Sequence, residues 1–332
     1  MQRRTFLAQA SALAVASVAG GWTGLLAAST PAASSASSAA SAPLDAAGFH
    51  AARRFAKLRY GRIAYIDRGR GDAVLFLHGF PLNSFQWRGA IDRLSPHRRC
   101  IAPDFMGLGY TEVAPGQSLA PSEQVDMLVA LLDHLRIQRV DVIANDSGGQ
   151  AAQLLVTRHP DRVRTLLLTN CDTEGNSPPA AMGPVIALAK QNQWVDQWIA
   201  PWQADPNLAR TPEGFGGMCY ADPANPTDEA VDTYFTPLVS SPARKALANG
   251  YAVALERNPL VGITPLLQAS KVPTRIVWGM GDTIFAPADA DALDRAFGQS
   301  RGVRRLEGSR LFWPEERPDV IAEEALKLWA SA

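Results

Sequence analysis

Cysteine and histidine are scarce in this chain of 332 residues, which has three of the first and five of the second. Cys100, Cys171 and Cys219 allow at most one disulfide, and the sequence has neither a CxxC pair nor a metal-ligand spacing. We therefore expect buried, apolar thiols, and we predict no metal and no cofactor.

An excess of charge of either sign is also absent. The 32 basic residues balance the 32 acidic ones, so no overall field would attract nucleic acid or an anionic membrane. With 47% hydrophobic and 19% charged residues, the composition is that of an ordinary globular protein. A small neutral substrate suits this balance better.

The N-terminus resembles an export signal. Arg3 and Arg4 precede Thr5-Phe6-Leu7 and a weakly apolar, alanine-rich run that reaches Ala28. The alternative is a chance basic start before a membrane anchor, but Gly20, Gly21 and the alanines make a poor membrane-spanning helix. We predict a twin-arginine signal over 1–28, export by the twin-arginine machinery, and a periplasmic mature chain that is not in the membrane.

A low-complexity segment follows the signal. The run "STPAASSASSAASAP" is too poor in large apolar residues to form a packed core. We assign a linker to 29–54.

In the rest of the chain, short β-branched runs alternate with helical patterns. Seven runs predict strands: 62–66, 74–77, 99–102, 140–144, 163–169, 274–278 and 303–306. Between two of them, residues 123–135 carry apolar side chains at three-four spacing, which predicts an amphipathic helix. This alternation predicts an α/β fold with a mostly parallel sheet flanked by helices.

The stretch "IANDSGGQ" follows one predicted strand and has the small residues that a nucleophile elbow needs. With Asp146 as the attacking residue, the nearby small positions are Ala144, Gly148 and Gly149. With Ser147 as the attacking residue, the bulkier Asn145 would stand two positions before it. The spacing favours Asp146, although an aspartate here could also serve only as a helix N-cap.

A second loop, "LFLHGFP" at 75–81, runs from a buried strand into His-Gly. Its Phe80 N–H and the N–H of Ser147 are candidate donors to a developing oxyanion. His78 is interpreted as a structural histidine of this loop.

Five motifs occur in an order and at a spacing that resemble the α/β hydrolase family: "HGFP", "APDFMGLGYTE" at 102–112, the elbow, "TRHPDRV" at 157–163 and "VWGMGD" at 277–282. The resemblance implies a core over 55–172 and 269–332 and an inserted helical cap over 173–268. An aspartate at the elbow is similar to the branch of haloalkane and haloacetate dehalogenases and epoxide hydrolases. In that branch the carboxylate attacks a carbon to form an alkyl ester, which water cleaves.

The resemblance implies an acid and a histidine besides the nucleophile. Asp282 stands where the family places the acid, with Asp172 as the alternative; both could also be ordinary turn residues. The family's Gly-x-x-His-Phe-x-x-Glu segment corresponds to residues 308–315, in which Leu311 replaces the histidine. None of the five histidines is an evident substitute.

Aromatic residues supply candidates for the substrate pocket. Trp87, Trp194 and Trp198 are the predicted binding residues, with Trp194 and Trp198 on one face of a cap helix that Pro201 ends. Packing of the cap on the core is the alternative for the cap pair. Tyr220, Tyr234 and Tyr251 are potential donors for the opening of an epoxide. In haloalkane dehalogenases, the residues at the positions of Phe80 and Ser147 commonly bind the halide.

Two functions remain open. The first is a hydrolase in which Asp146 attacks a C–halogen or epoxide carbon. The second is a degenerate, non-hydrolytic member that binds a small apolar ligand, which the missing histidine favours.

Overall fold

The computed structural model describes residues 44–331, so the predicted signal peptide and the linker up to residue 43 lie outside the described residues. Helix α1 (Ala46–Ala52) occupies most of the remaining predicted linker. Asp45 caps it by accepting a 2.7 Å hydrogen bond from the N–H of Gly48, and its buried Phe49 packs edge-on against Phe85. The linker prediction is therefore wrong at its C-terminal end, because burial of Phe49 fixes this segment onto the fold.

Nine strands of the described residues form one sheet. They are β1 (Arg54–Leu58), β2 (Gly61–Arg68), β3 (Ala73–Leu77), β4 (Arg99–Pro103), β5 (Glu112–Val113), β6 (Val140–Asp146), β7 (Val163–Cys171), β8 (Thr274–Gly279) and β9 (Ser300–Leu306). The order is β1-β2-β4-β3-β6-β7-β8-β9, with β5 paired to β2. The pairs β4-β3, β3-β6, β6-β7, β7-β8 and β8-β9 are parallel. The pairs of β2 with β1, β4 and β5 are antiparallel. All seven predicted strands are confirmed.

Helices cover both faces of the sheet. Besides α1, the helices outside the insertion after β7 are α2 (Arg88–Leu94), α3 (Pro121–His134), α4 (Ser147–Arg158), α12 (Pro287–Ala296), α13 (Trp313–Glu316) and α14 (Pro318–Ala330). Helices α4 and α14 both contact β7; α3 packs on α4, and α2 packs on α14. The amphipathic helix predicted at 123–135 is confirmed as α3.

The insertion after β7 is mostly helical, as expected for a cap. It contains α5 (Met182–Lys190), α6 (Ala200–Ala204), α7 (Pro206–Ala209), α8 (Phe215–Cys219), α9 (Asp228–Val239), α10 (Pro242–Ala254) and α11 (Thr264–Ala269). Helix α11 contacts the core helices α4 and α12, so the cap over the strand ends consists of α5–α10. The described residues, 44–331, belong to a single unit that includes cap and core.

One helix boundary in the cap differs from its prediction. A wide π-helical turn, Val195–Ile199, runs directly into α6, and Pro201 lies in the first turn of α6 instead of ending the helix. Proline is tolerated there because a first-turn N–H needs no partner within the helix. In residues 44–331, no helix has both the length and the apolar character needed to cross a membrane.

Candidate active site

Strand β6 ends in a sharp turn at Asp146, which leads directly into α4. Asp146 has φ 56° and ψ −132°, a conformation that residues with a side chain rarely adopt. A Cβ on Gly148 would lie 2.4 Å from the carbonyl oxygen of Leu77, and one on Gly149 would lie 2.4 Å from Cβ of Cys171. The two glycines are therefore required because the turn presses α4 against the neighbouring strands.

The carboxyl group of Asp146 is held by the two predicted backbone donors. Its Oδ1 accepts a 3.0 Å hydrogen bond from the N–H of Phe80 and a second, short one from the N–H of Ser147. The two loops that the sequence identified thus converge on one carboxyl oxygen. Donors in this position can also receive negative charge that develops on an ester carbonyl oxygen.

His78 is part of the loop's internal structure, as predicted. Its Nε2 accepts a 3.0 Å hydrogen bond from the N–H of Phe105, so the proton lies on Nδ1, which donates to the carbonyl of Gly79 at 2.9 Å. Burial lowers the pKa of His78 and keeps the ring neutral. None of the chain's five histidines lines the cavity at Asp146.

A cavity of about 120 Å³ lies between the turn and the cap. It is close in size to the roughly 150 Å³ apolar cavity in another protein that holds benzene. Apolar side chains form most of the wall, among them Phe80, Met182, Val185, Trp194, Trp198, Trp202, Phe215 and Leu311. Asp146 and Asp172 are the two carboxyl-bearing residues of the wall. The site thus suits a small apolar molecule that reacts with a carboxyl group.

The side chain of Ser147 follows directly after Asp146 and is held by the cap. The hydroxyl of Tyr251 donates to Ser147 Oγ at 3.3 Å. This contact fixes the Ser147 hydroxyl behind the turn. Among the described residues that line the cavity, none is a histidine, lysine or arginine that could activate this hydroxyl.

Burial raises the pKa of Asp146 to about 6, while hydrogen bonds from Phe80 and Ser147 act in the opposite direction. The carboxyl group of Asp146 is therefore ionised in most molecules at neutral pH. An ionised carboxylate with few water contacts in an apolar cavity is a competent nucleophile toward carbon.

Asp172 follows β7 and reaches the same cavity. Because Cys171 pairs with Asp146 across β6 and β7, the next residue lies beside the turn. Its carboxyl group accepts a long, 3.4 Å hydrogen bond from Gln150 Nε2, which also donates to Ser177 Oγ at 2.9 Å. Burial and the charge of Asp146 raise the pKa of Asp172 to about 8, so at neutral pH it is mostly protonated.

Asp282 does not line the cavity. Its carboxyl oxygens accept hydrogen bonds from Asn170 Nδ2 at 2.7 Å and from the N–H of Ile284 at 2.8 Å. Burial raises its pKa to about 6, with these hydrogen bonds opposing the shift. The role implied for Asp282, the orientation of a histidine, has no histidine to act on.

Leu311, at the position where the resemblance implies a histidine, lines the cavity. Its carbonyl accepts a 3.1 Å hydrogen bond from Asn145 Nδ2, whose Oδ1 accepts from Gln86 at 2.7 Å. Asn145 and Asn170 are structural site residues that sequence reasoning did not identify. In the sequence, each is marked only by an amide side chain near the end of a buried strand. Asn145 precedes Asp146 in β6, and Asn170 lies in the neighbouring strand β7.

The three tryptophans predicted at the pocket divide into two groups. Trp194 and Trp198 line the cavity, and Trp194 stacks on Phe80 with ring centroids 4.9 Å apart. Trp87 does not line it, which corrects that prediction: its indole is fully buried and packs on Phe76 of β3. The reason is that the short 3-10 turn Ser84–Trp87 directs this side chain toward the sheet.

The cap tyrosines do not face the cavity. Tyr220 and Tyr234 donate to the same carboxyl oxygen of Glu315, at 2.9 and 2.8 Å. Tyr251 lies behind Ser147. Among residues 44–331, no group of three or more His, Cys, Asp or Glu side chains is arranged to hold a metal ion.

Comparisons with known proteins agree with this architecture. The family model for the alpha/beta hydrolase fold matches residues 72–312. Haloalkane dehalogenase 2 of Mycobacterium tuberculosis (strain ATCC 25618 / H37Rv) is 27% identical over 279 residues, which cover 79% of this chain and 89% of the relative.

Two solved structures share the fold. One is the epoxide hydrolase CorEH without ligand, with a TM-score of 0.70, 24% identity, and coverage of 84% of this chain and 98% of that chain. The other is a thermophilic esterase from Thermogutta terrifontis, with a TM-score of 0.65 and 24% identity over 84% of this chain and 98% of that chain. The enzyme class expected from the sequence, a hydrolase, agrees with these relatives. The chain belongs to the alpha/beta hydrolase fold family.

Proposed function

We propose that this protein is a hydrolase in which Asp146 attacks a small apolar electrophile, at a C–halogen or an epoxide carbon, to form an alkyl ester. The observation that carries the proposal is the carboxylate of Asp146 in an apolar cavity of about 120 Å³, with one oxygen held by the N–H groups of Phe80 and Ser147. The second oxygen remains to attack. Names of the relatives, a haloalkane dehalogenase and an epoxide hydrolase, support the same pair of substrate classes.

The reaction has two steps. The carboxylate of Asp146 displaces halide or opens the ring, so that an ester joins Asp146 to the substrate carbon. Water then attacks the ester carbonyl, and the two N–H groups stabilise the oxyanion. Displacement of halide needs no proton, whereas opening of an epoxide needs a proton on its oxygen.

A donor for the leaving group is available in the wall. The indole N–H of Trp194 is buried and has no hydrogen-bond partner among the residues that the structure describes. An unpaired buried donor is costly and suits an anion or a polar oxygen in the cavity. We assign Trp194, with Trp198 beside it, to the binding of the leaving group and the apolar body of the substrate.

The test is incubation with haloalkanes, haloacetates and epoxides that fit the cavity, followed by intact mass spectrometry and an assay for released halide or diol. We expect product release, with a transient adduct on Asp146 at short times. An active protein in which Asp146→Asn keeps full activity would contradict the proposal.

The second candidate is a non-hydrolytic member that binds a small apolar ligand. Leu311 in the cavity wall favours it, because the base that the family uses for ester hydrolysis is absent. It predicts a stable adduct or simple binding of the panel compounds without product, which the same mass measurement distinguishes.

We further propose export through the twin-arginine pathway to the periplasm. Support comes from Arg3-Arg4 and the weakly apolar run that follows them. Substitution of both arginines by lysine should retain the protein in the cytoplasmic fraction of a host with this pathway. Equal periplasmic yield of both forms would contradict the proposal.

A further inference from the structure

We infer that Asp172 is the acid–base partner of Asp146 and performs the proton transfers for which the family's histidine is missing, with a small epoxide as the substrate class. This inference rests on the proposed attack by Asp146. It adds a second catalytic carboxyl group and favours a cyclic ether over an alkyl halide, since only the ether needs a proton to leave.

Geometry brings the two carboxyl groups to one small molecule. Asp146 ends β6, Asp172 follows β7, and both line a cavity of about 120 Å³ that holds roughly one benzene-sized molecule. A substrate that contacts Asp146 therefore lies within reach of Asp172. Asp282, the other candidate, is separated from the substrate because its carboxyl group faces Asn170.

Within residues 44–331, the charged groups that act on Asp172 are both acidic: Asp146 of β6 and Asp289 of α12. The hydroxyl of Tyr251 from α10 also faces it, and Gln150 Nε2 is its side-chain hydrogen-bond donor. Among the described residues, no ion pair involves Asp146 or Asp172. Two neighbouring carboxyl groups in a dry cavity share one proton, and Asp172 is the one that keeps it.

In the first step, ionised Asp146 attacks a ring carbon and the C–O bond breaks. The proton of Asp172 goes to the ring oxygen, which becomes a hydroxyl group. The products are a hydroxyalkyl ester at residue 146 and an ionised Asp172, so atoms and charge balance. Because the ester is neutral, Asp172 no longer faces the negative charge of Asp146, and burial is then the main cause of its raised pKa, so that it can act as the base of the next step.

In the second step, Asp172 takes a proton from water while the water oxygen attacks the ester carbonyl. The oxyanion is held by the N–H groups of Phe80 and Ser147. Collapse expels the diol, which takes its proton from the added hydroxyl group. Asp146 is again ionised and Asp172 again protonated, so the cycle closes without histidine. The exchange of acid and base roles by one carboxyl group is established chemistry in retaining glycosidases.

The test uses 1,2-epoxyhexane and 1-bromohexane, two probes of equal heavy-atom count, with the wild-type protein and Asp172→Asn. For the epoxide we expect diol formation by the wild type and a loss of about 10²- to 10⁴-fold in the variant. With the bromide, the variant should still be alkylated, because displacement of bromide needs no acid, and the hexyl ester on Asp146 should persist. In the wild type, Asp172 still carries its proton after displacement of bromide; it releases that proton to solvent once the neutral ester has removed the charge of Asp146, and it then activates water, so the ester should not accumulate.

Asp282→Asn is the matched comparison, since it makes the same change at a buried carboxyl group outside the cavity. We expect at least about ten times more loss from Asp172→Asn than from Asp282→Asn. Thermal denaturation shows that each variant is folded. The pH profile is a readout that a purely structural role would not move.

Two results would overturn the inference and leave the attack by Asp146 intact. One is diol formation by Asp172→Asn within threefold of the wild type. The other is wild-type turnover of the bromide without turnover of the epoxide. Failure of the wild type to be alkylated by or to hydrolyse either probe would instead remove the proposed function itself.

Discussion

Asp146 combines a strained backbone with a fully engaged carboxyl oxygen, and the two features have one cause. A positive φ of 56° turns its side chain back over the strand end, where the N–H groups of Phe80 and Ser147 meet it. Such a conformation costs about 1–3 kcal/mol and persists where surrounding packing imposes it. In the proposed reaction, a carboxylate kept in this position is oriented for attack before the substrate arrives.

Asp146→Asn tests this residue with the least structural change. Asparagine tolerates positive φ and fits the same space, so we expect a folded protein. Without a carboxylate, turnover of the best probe should fall by more than about 10³-fold. Kinetics together with a melting curve check the prediction, and a loss below tenfold in a folded variant would contradict it.

The two carboxyl groups of the cavity predict a bell-shaped pH profile for epoxide hydrolysis. The rate should rise as Asp146 ionises through a pKa of about 6, because only the anion attacks. It should fall as Asp172 loses its proton through a pKa of about 8. In Asp172→Asn, the residual activity should lack the alkaline decline. A wild-type rate that keeps rising above pH 9 would contradict the assignment of the acid.

The sequence locates Asp146 at a tight turn, but the family resemblance led us to prefer Asp282 to Asp172 as the acid, whereas it is Asp172 that lines the cavity. Small residues on both sides of Asp146 report the turn, which is a local property. Whether Asp172 or Asp282 reaches the cavity depends on how the loops after β7 and β8 fold over the strand ends. The spacing of residues in the sequence does not show how these loops fold. Trp87 was misassigned for the same reason, because its partner Phe76 lies on a different element.

The close packing at the junction of β6 and α4 predicts that replacement of Gly148, a helical glycine, by alanine destabilises the protein. Replacement of a glycine by alanine within a helix ordinarily stabilises it by up to about 1 kcal/mol. In Gly148→Ala the new methyl group would lie 2.4 Å from the Leu77 carbonyl oxygen and 2.7 Å from that of His78, and backbone cannot yield easily. We expect a loss of about 2 kcal/mol or more in the free energy of unfolding.

Gly183→Ala is the control, because Gly183 lies in the first turn of α5 and a methyl group on its Cα would meet open space. It should be neutral or slightly stabilising. Denaturant titration of both variants measures the difference. Equal effects of the two substitutions would show that β6 and α4 are not pressed against β3 as described.

The sequence correctly predicted those strands and helices whose type is determined by their own residues. Strands β3, β6 and β7 are buried apolar runs, so both their type and their position follow from the sequence. Strand β1 was missed because "RFAKL" is largely exposed at the edge of the sheet, and β5 has only two residues. Helix α1 was missed because an alanine-rich run precedes it and only Phe49 anchors it.

Across the whole molecule, one buried carboxyl group joins cap and core. Glu315 of α13 accepts hydrogen bonds from Tyr220 and Tyr234 of the cap, and it forms a 2.8 Å ion pair with Arg88 of α2. Glu315→Gln keeps the shape but removes the charge opposite Arg88. Because this pair is largely buried, we expect a loss of about 2–3 kcal/mol, or about 5 °C in Tm.

Glu112→Gln is the matched control, since it removes one partner of the exposed ion pair with Arg62. Exposed pairs contribute about 0–1 kcal/mol. Differential scanning fluorimetry compares the two variants. A Tm of Glu315→Gln equal to that of Glu112→Gln would contradict a stabilising role of Glu315 between cap and core.

The pKa of Asp172 also predicts how stability depends on pH. Burial and Asp146 raise it from 3.8 to about 8 in the folded protein, so folding is favoured when the group is protonated. This contribution is complete below pH 3.8 and is lost progressively as the pH rises through about 8. The Tm of Asp172→Asn relative to the wild type should therefore increase between about pH 5 and pH 8 and then level off. A constant difference across this range would contradict the raised pKa.

The most direct measurement for the central claim is the location of the covalent intermediate. Wild type and Asp172→Asn are mixed with 1-bromohexane, quenched in acid, digested and analysed by tandem mass spectrometry. We predict one hexyl group on the carboxyl oxygen of Asp146, transient in the wild type and long-lived in Asp172→Asn. A hexyl group on Ser147 or on another residue, with Asp146 unmodified, would contradict the account.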